Sequence, residues 1–162
     1  MSRRPPRWPL WTALWLTPVD SMSPNAWAQL HAAIVHFPIS LTVFALCCDA
    51  GVMASWSRPL AARLRTASNC ALGMGALASL PAVFSGLVLT RGDMLGQGAL
   101  RWHHVFIWPT FTLLVAAAVW RWLGPEPATR PRHLGRIAAM AVLVGLMSAV
   151  GHWGGQLALA YP

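Results

Sequence analysis

Six histidines carry the chemistry available to this sequence, and five of them stand at the ends of apolar runs: His31, His36, His103, His104 and His152. Imidazole is the commonest transition-metal ligand among side chains and the one that titrates near neutral pH. Placed beside hydrocarbon it is costly, so it marks a ligand site or a proton route. The stretch QLHAAIVHFPISLTVFALCC (29–48) puts two histidines at the mouth of a long apolar segment. RWHHVF (101–106) opens another with two more, and GHWGG (151–155) closes a third. His133, in an arginine-rich connection, reads as a solvated or lipid-facing residue.

The elements that must position these side chains are membrane spans. The chain is 56% hydrophobic and only 10% charged, with mean hydropathy +0.51, whereas soluble domains carry about 25% charged residues. Four runs reach the ~20 residues that a helix needs to cross hydrocarbon: approximately 37–56, 68–90, 103–123 and 134–152. The expected fold is therefore an all-α integral membrane protein, a four-transmembrane-helix bundle over 29–162. It is preceded by an N-terminal, Trp-rich interfacial arm over 1–28 that is signal-like and expected to be retained. Pro38 is expected in the first turn of the first helix, where a missing N–H costs no hydrogen bond.

Charge sets the orientation and excludes one class of function. All twelve basic residues are arginine, against four acids, for a net charge of +8. They cluster between the apolar runs, where arginine sets topology and meets anionic headgroups, so nucleic acid is not an expected partner and membrane lipid is. Arg58, Arg63, Arg65, Arg121, Arg130, Arg132 and Arg136 fall on one side, which is expected to be cytoplasmic in a bacterial inner membrane. Arg91 and Arg101, with Asp93, fall on the other. Alternating helix directions then bring the five histidines to one periplasmic face. Trp102, Trp108 and Trp153 mark that interface, and Trp56, Trp120 and Trp122 mark the opposite one.

Which group the histidines serve follows from their neighbours. Cys47, Cys48 and Cys70 lie in the far halves of their helices and read as buried thiols, not as zinc ligands or a disulfide framework. There is no H-E-x-x-H and no carboxylate set for a di-iron centre. A haem needs only one or two axial imidazoles, apolar walls and small residues beside the ring. Gly86, Gly151, Gly154 and Gly155 supply the small residues, and Phe37, Trp102, Phe106 and Trp153 the walls. With no C-x-x-C-H the haem is expected to be b-type, at one or two per chain. The expected axial pair is His36 with His103 or His104; His152 is in reserve as a third metal ligand. His31 is left for a second haem or for proton transfer. Gly73 and Gly75 read as helix-packing residues. Asp49, ~20 Å along the helix from His36, is expected to pair with Arg58 or Arg121.

LHAAIVHFPISLTVFAL resembles the opening of the bacterial membrane-protein family catalogued as domain of unknown function 2231. That family's signature is a His-Pro-x-x-Val-His-Phe-Pro stretch leading into the first of four helices; Ala32 stands here where the family has proline. FSGLVL resembles its Gly-Leu turn, a histidine opens the third helix as His103 or His104 does, and GHWGGQLAL resembles its closing Gly-Gly-x-Leu segment. The resemblance covers 29–159 and implies a redox setting, since some members occur with c-type cytochrome or Rieske-like domains.

Two functions are thus expected of the sequence. One is a b-type cytochrome-like electron-transfer protein, working with other subunits of a membrane redox complex, a periplasmic electron carrier or quinone. The other is a non-redox accessory or structural subunit of a larger respiratory or photosynthetic membrane complex. A small transporter would need inverted repeats or polar groups at mid-membrane, and neither stands out.

Overall fold

A computed structural model describes the backbone of residues 24–160 and the side chains of 26–159; most of the expected arm lies outside the described residues. Four helices follow in order: α1 (Pro24–Ala54), α2 (Pro59–Leu89), α3 (Gly98–Leu123) and α4 (Arg130–Ala160). All four are long and apolar enough to cross a membrane, so the chain is an all-helical, multi-pass membrane protein.

The helices outrun the hydrophobic runs that announce them. At 1.5 Å per residue even the 26-residue α3 extends for ~39 Å, more than the ~30 Å of hydrocarbon, so helix ends project into the interfaces. α1 reaches back to Pro24, which places His31, His36 and Pro38 well inside it. This corrects the expectation that regular helix begins after His36, and residues 24–28 of the expected arm are its first turn. α4 likewise continues past His152 to Ala160. Hydrophobicity marks how much of a helix sits in lipid, while backbone hydrogen bonding, satisfied by polar residues as readily as by apolar ones, decides where it ends.

The connections are short and well bonded. Pro59 opens α2 at its first position, and Arg58 before it is extended (φ −103°, ψ 152°), as a residue preceding proline prefers. α2 ends in a Schellman turn: the Gly92 N–H donates to the Leu87 carbonyl at 2.9 Å and the Arg91 N–H to Val88 at 3.1 Å. Arg91 takes the left-handed conformation (φ 53°) usually left to glycine. The Asp93 carboxylate then accepts from the Leu95 and Gly96 N–H groups at 3.0 and 2.8 Å, and those bonds, led by Gly96, hold its pKa below the usual carboxylate value.

The four helices form a closed ring in which α1 packs on α2 and α4, and α3 also packs on α2 and α4. α1 and α3 therefore face each other diagonally, as do α2 and α4. The interior is built from small and weakly polar residues, with Ala45, Thr42, Ser68, Ala71, Ser79 and Ser85 all buried. Phe44, Leu77, Phe84 and Trp122 are more than half exposed and point outward. In lipid no hydrophobic force drives helices together, so close approach of small residues does. Gly75 shows this: a Cβ there would sit 3.4 Å from Leu41 and 3.5 Å from Thr42. Gly73 packs in the same way against Trp122, as expected of both glycines. Two buried hydroxyls are satisfied by their own helices, Thr42 donating to the Pro38 carbonyl at 2.7 Å and Thr110 to Phe106 at 2.6 Å.

Of the three cysteines only Cys48 is buried; Cys47 and Cys70 lie on the exposed surface, which corrects the reading of all three as buried. Asp49 pairs with Arg121 deep in the bundle, as one of the two expected partners.

Candidate functional site

At the end of the bundle opposite the arginine-rich connections, all four helices line one apolar cavity of about 90 Å³. α1 contributes His31, Val35, Pro38 and Ile39, and α3 contributes His103, His104, Ile107, Trp108, Phe111 and Leu114. On α1, residues 31, 35 and 38 are the i, i+4, i+7 stripe of one helix face. His36 lies five residues from His31, ~140° around a helix of 3.6 residues per turn. It is exposed on the outer face, where its Nδ1–H donates to its own helix at Ala32 O, 2.6 Å away. The helix period thus allows only one of the two to face the interior, and that one is His31.

His31 is held from α2. The Ser85 hydroxyl donates to the Ala82 carbonyl at 2.9 Å, so its oxygen accepts from His31 Nδ1–H, also at 2.9 Å. Gly86 makes room for the ring: a Cβ there would come within 3.1 Å of His31 Cε1. His103 is held in the same way from α4. Its Nδ1–H donates to the Val150 carbonyl at 3.1 Å, and Gly154 lies beside the ring, at 3.4 Å by the same measure. Since a carbonyl oxygen accepts but cannot donate, the proton of His103 is on Nδ1, and in both residues Nε2 keeps its lone pair. A ligating histidine commonly has this second-shell arrangement, with one nitrogen tethered and the other bare.

His104 completes the group. It is 6% exposed, its Nδ1 is buried with no hydrogen-bond partner among the described residues, and its ring stands 6.0 Å from His103 and 6.3 Å from Trp108. Trp108 is fixed by donating its indole N–H to Met94 O at 3.1 Å, which ties the cavity wall to the α2–α3 connection.

Of the nine residues expected at the site, His31, His103, His104 and Gly86 line the cavity, and Gly154 supports His103 from behind. His36 and His152 are exposed outside it, His152 edge-on to Trp153. A Cβ on Gly151 or Gly155 would meet nothing within 4 Å. The expected walls Phe37, Trp102, Phe106 and Trp153 are not among the lining residues; Trp108 and Phe111 take that place. Trp102 and Trp153 instead stack on each other, 6.0 Å apart. Among the described residues no three His, Cys, Asp or Glu side chains converge as a set for a lone ion.

The opposite end holds what the spacing of single residues did not reveal. Arg121 donates to Ser68 Oγ at 2.5 Å and forms the ion pair with Asp49, so α1, α2 and α3 are joined by one buried network. Ser68 also donates to Asp49 Oδ1 at 2.8 Å. His133, expected to be solvated or lipid-facing, is completely buried. Its Nε2–H donates to the Asp49 carbonyl at 2.9 Å, and Trp56 stands edge-on to its ring. In the α3–α4 connection, Glu126 accepts from Asn69 at 2.8 Å and from Arg136 at 3.2 Å. Partial burial raises its pKa, but those bonds and the nearby arginines outweigh that and keep it below the usual value.

Neither the curated proteins nor the solved structures contain a match to this chain. A family model does match, over residues 28–162, and its span takes in all four helices from the second turn of α1 onward, together with the histidine cavity. The chain belongs to the family described as Predicted membrane protein (DUF2231).

Proposed function

We propose that this protein is a haem-binding electron-transfer protein of the bacterial inner membrane, with His31 and His103 as the axial ligands of a b-type haem. The observation that carries the reading is the pair of tethered imidazoles on diagonal helices. Each presents an Nε2 lone pair, and both line one apolar cavity. His31 and His103 would hold the group from α1 and α3, which lie diagonally across the ring, each offering one imidazole nitrogen to the iron. On α3, His103 is one of the two expected residues; on α1 the half-buried, cavity-lining position of His31 supports it over the exposed His36.

The donor set fits the group; the enclosed space is tighter. About 90 Å³ is room for roughly three waters at ~30 Å³ each, whereas sites for larger ligands run to ~300–1,000 Å³. A haem would need this cavity to be wider. When bound, the haem would supply one-electron transfer between membrane or periplasmic carriers, quinone among them. The chain's own contribution is to fix both Nδ1 protons, through Ser85 and Val150, and to keep water out with Ile107, Phe111 and Leu114.

The test is a dithionite-reduced minus oxidised spectrum with a pyridine haemochrome assay on gently purified protein. A b-type signal is expected, removed by His31→Ala or His103→Ala and retained by His36→Ala and His152→Ala. A colourless protein sinks the proposal. It would favour a second reading supported by the small cavity: a non-redox accessory subunit of a larger respiratory or photosynthetic complex. Its exposed Phe37, Phe84 and Trp102 would then be the surface presented to neighbouring subunits.

A further inference from the structure

At the arginine-rich end a second cavity opens between α3 and α4. At about 400 Å³ it is several times the volume of the histidine cavity. Its walls are apolar along most of their length, with Ala116, Ala139, Val142 and Leu143 among them, and Arg121 and Arg136 stand at one end. The two arginines differ in what remains to be bound. Arg121 is neutralised by Asp49 and bonded to Ser68. Arg136 is 3% exposed and is paired with Glu126, which also accepts from Asn69, and it keeps a buried Nε–H that has no acceptor among the described residues.

Charge and shape point to the same occupant. Seven arginines face two carboxylates, Asp49 and Glu126, on this side of the chain; the groove's own Arg121 and Arg136 pair with those two, so the surplus positive charge of this interface is carried by Arg58, Arg63, Arg65, Arg130 and Arg132. The Arg136 guanidinium lies 5.8 Å from the centre of the Trp120 ring, and Trp120, 56% exposed, is the type of residue that sits at headgroup level. Basic pockets between membrane helices recognise anionic headgroups. An apolar channel running from such a pocket suits an acyl chain.

We infer that the α3–α4 groove is a binding site for an anionic phospholipid. Its acyl chain lies along Ala116, Ala139 and Leu143, and its phosphate takes the free Nε–H of Arg136. The site is independent of the histidine cavity and of what that cavity holds. Glu126 competes with the phosphate for the same guanidinium, so its neutralisation strengthens binding.

The full chain is reconstituted in nanodiscs of equal parts phosphatidylglycerol and phosphatidylcholine, and the lipid that stays with it is counted by native mass spectrometry. The expected result is one retained phosphatidylglycerol per chain, enriched roughly fivefold over phosphatidylcholine, the factor one basic residue is worth at an anionic surface. Arg136→Gln abolishes the enrichment, Ala139→Trp fills the groove and abolishes retention of either lipid, and Glu126→Gln increases the enrichment. If Arg136→Gln does not fold, by its helical circular dichroism, Glu126→Gln decides alone. Equal retention of both lipids overturns the inference, as does enrichment that survives Arg136→Gln. So does displacement of the lipid by inorganic phosphate alone, which marks a free-anion site, or a lipid-free chain dimer that covers the groove.

Discussion

His31 and His36 show how a one-residue question is settled by helix phase. Both are imidazoles in the same short motif, and by type either could serve as a ligand. Because α1 is continuous through the motif, five residues separate them by more than a third of a turn, and only His31 reaches the interior. The residues that make His31 useful are on α2: Ser85, which fixes its tautomer, and Gly86, which leaves room for its ring. Removing a second-shell partner usually weakens a metal site by about 10- to 100-fold. Ser85→Ala and Gly86→Val should each lower haem affinity by about that factor in a haem titration of the stripped protein. Gly151→Val, which adds a side chain in open space, should leave affinity unchanged. Equal effects at all three positions would remove Ser85 and Gly86 from the site.

Between elements, the Asp49–Ser68–Arg121 network fixes the relative register of α1, α2 and α3 at the end away from the histidines. Both charged side chains are 1% exposed, so deleting one partner strands the other without water. Asp49→Leu alone should destabilise the bundle by about 3–5 kcal/mol, while the double change Asp49→Leu with Arg121→Met should cost clearly less, because no charge is then left unpaired. Detergent-unfolding titrations of the single and double variants measure the difference. A double variant less stable than the single would mean that the ion pair itself, and not relief of a stranded charge, dominates. The pairing of Asp49 was legible from its position near a helix end with arginines nearby. The part played by Ser68 was not, since a serine in an apolar run is equally consistent with bonding to its own helix.

On the scale of the whole molecule, four crossings put both helix-pair connections, 55–58 and 124–129, on one side and 90–97 on the other. The expectation from the arginine bias is that the first two are cytoplasmic, an orientation that would place the histidine cavity near the periplasmic carriers it is proposed to serve. Alkaline phosphatase fused after Leu95 should be active and fused after Glu126 inactive. The reverse pattern would invert the protein, moving the arginines and the α3–α4 groove to the periplasmic side. The same ring explains how a small protein accommodates buried polarity: His133, Arg121 and Arg136 are interior at one end and His104 at the other, with the apolar cluster of Leu72, Leu114, Met140 and Leu143 among the residues between.

Composition and the spacing of apolar runs by themselves determined the class of fold, the number of crossings and the end at which the histidines gather. Each follows from the thickness of hydrocarbon and the cost of placing charge in it. Gly73 and Gly75 were legible as packing residues for the same reason, small residues being what lets helices approach in lipid. What only the tertiary structure decided is that His31 and not His36 faces inward, which glycines seat His31 and His103, and that His133 is buried. Those outcomes depend on the rotation of each helix about its axis and on atoms from other helices, such as Ser85 Oγ, Val150 O and Asp49 O. A helix that is apolar on every side carries no stripe in its sequence to fix that rotation. Packing of small residues against neighbours far along the chain fixes it instead.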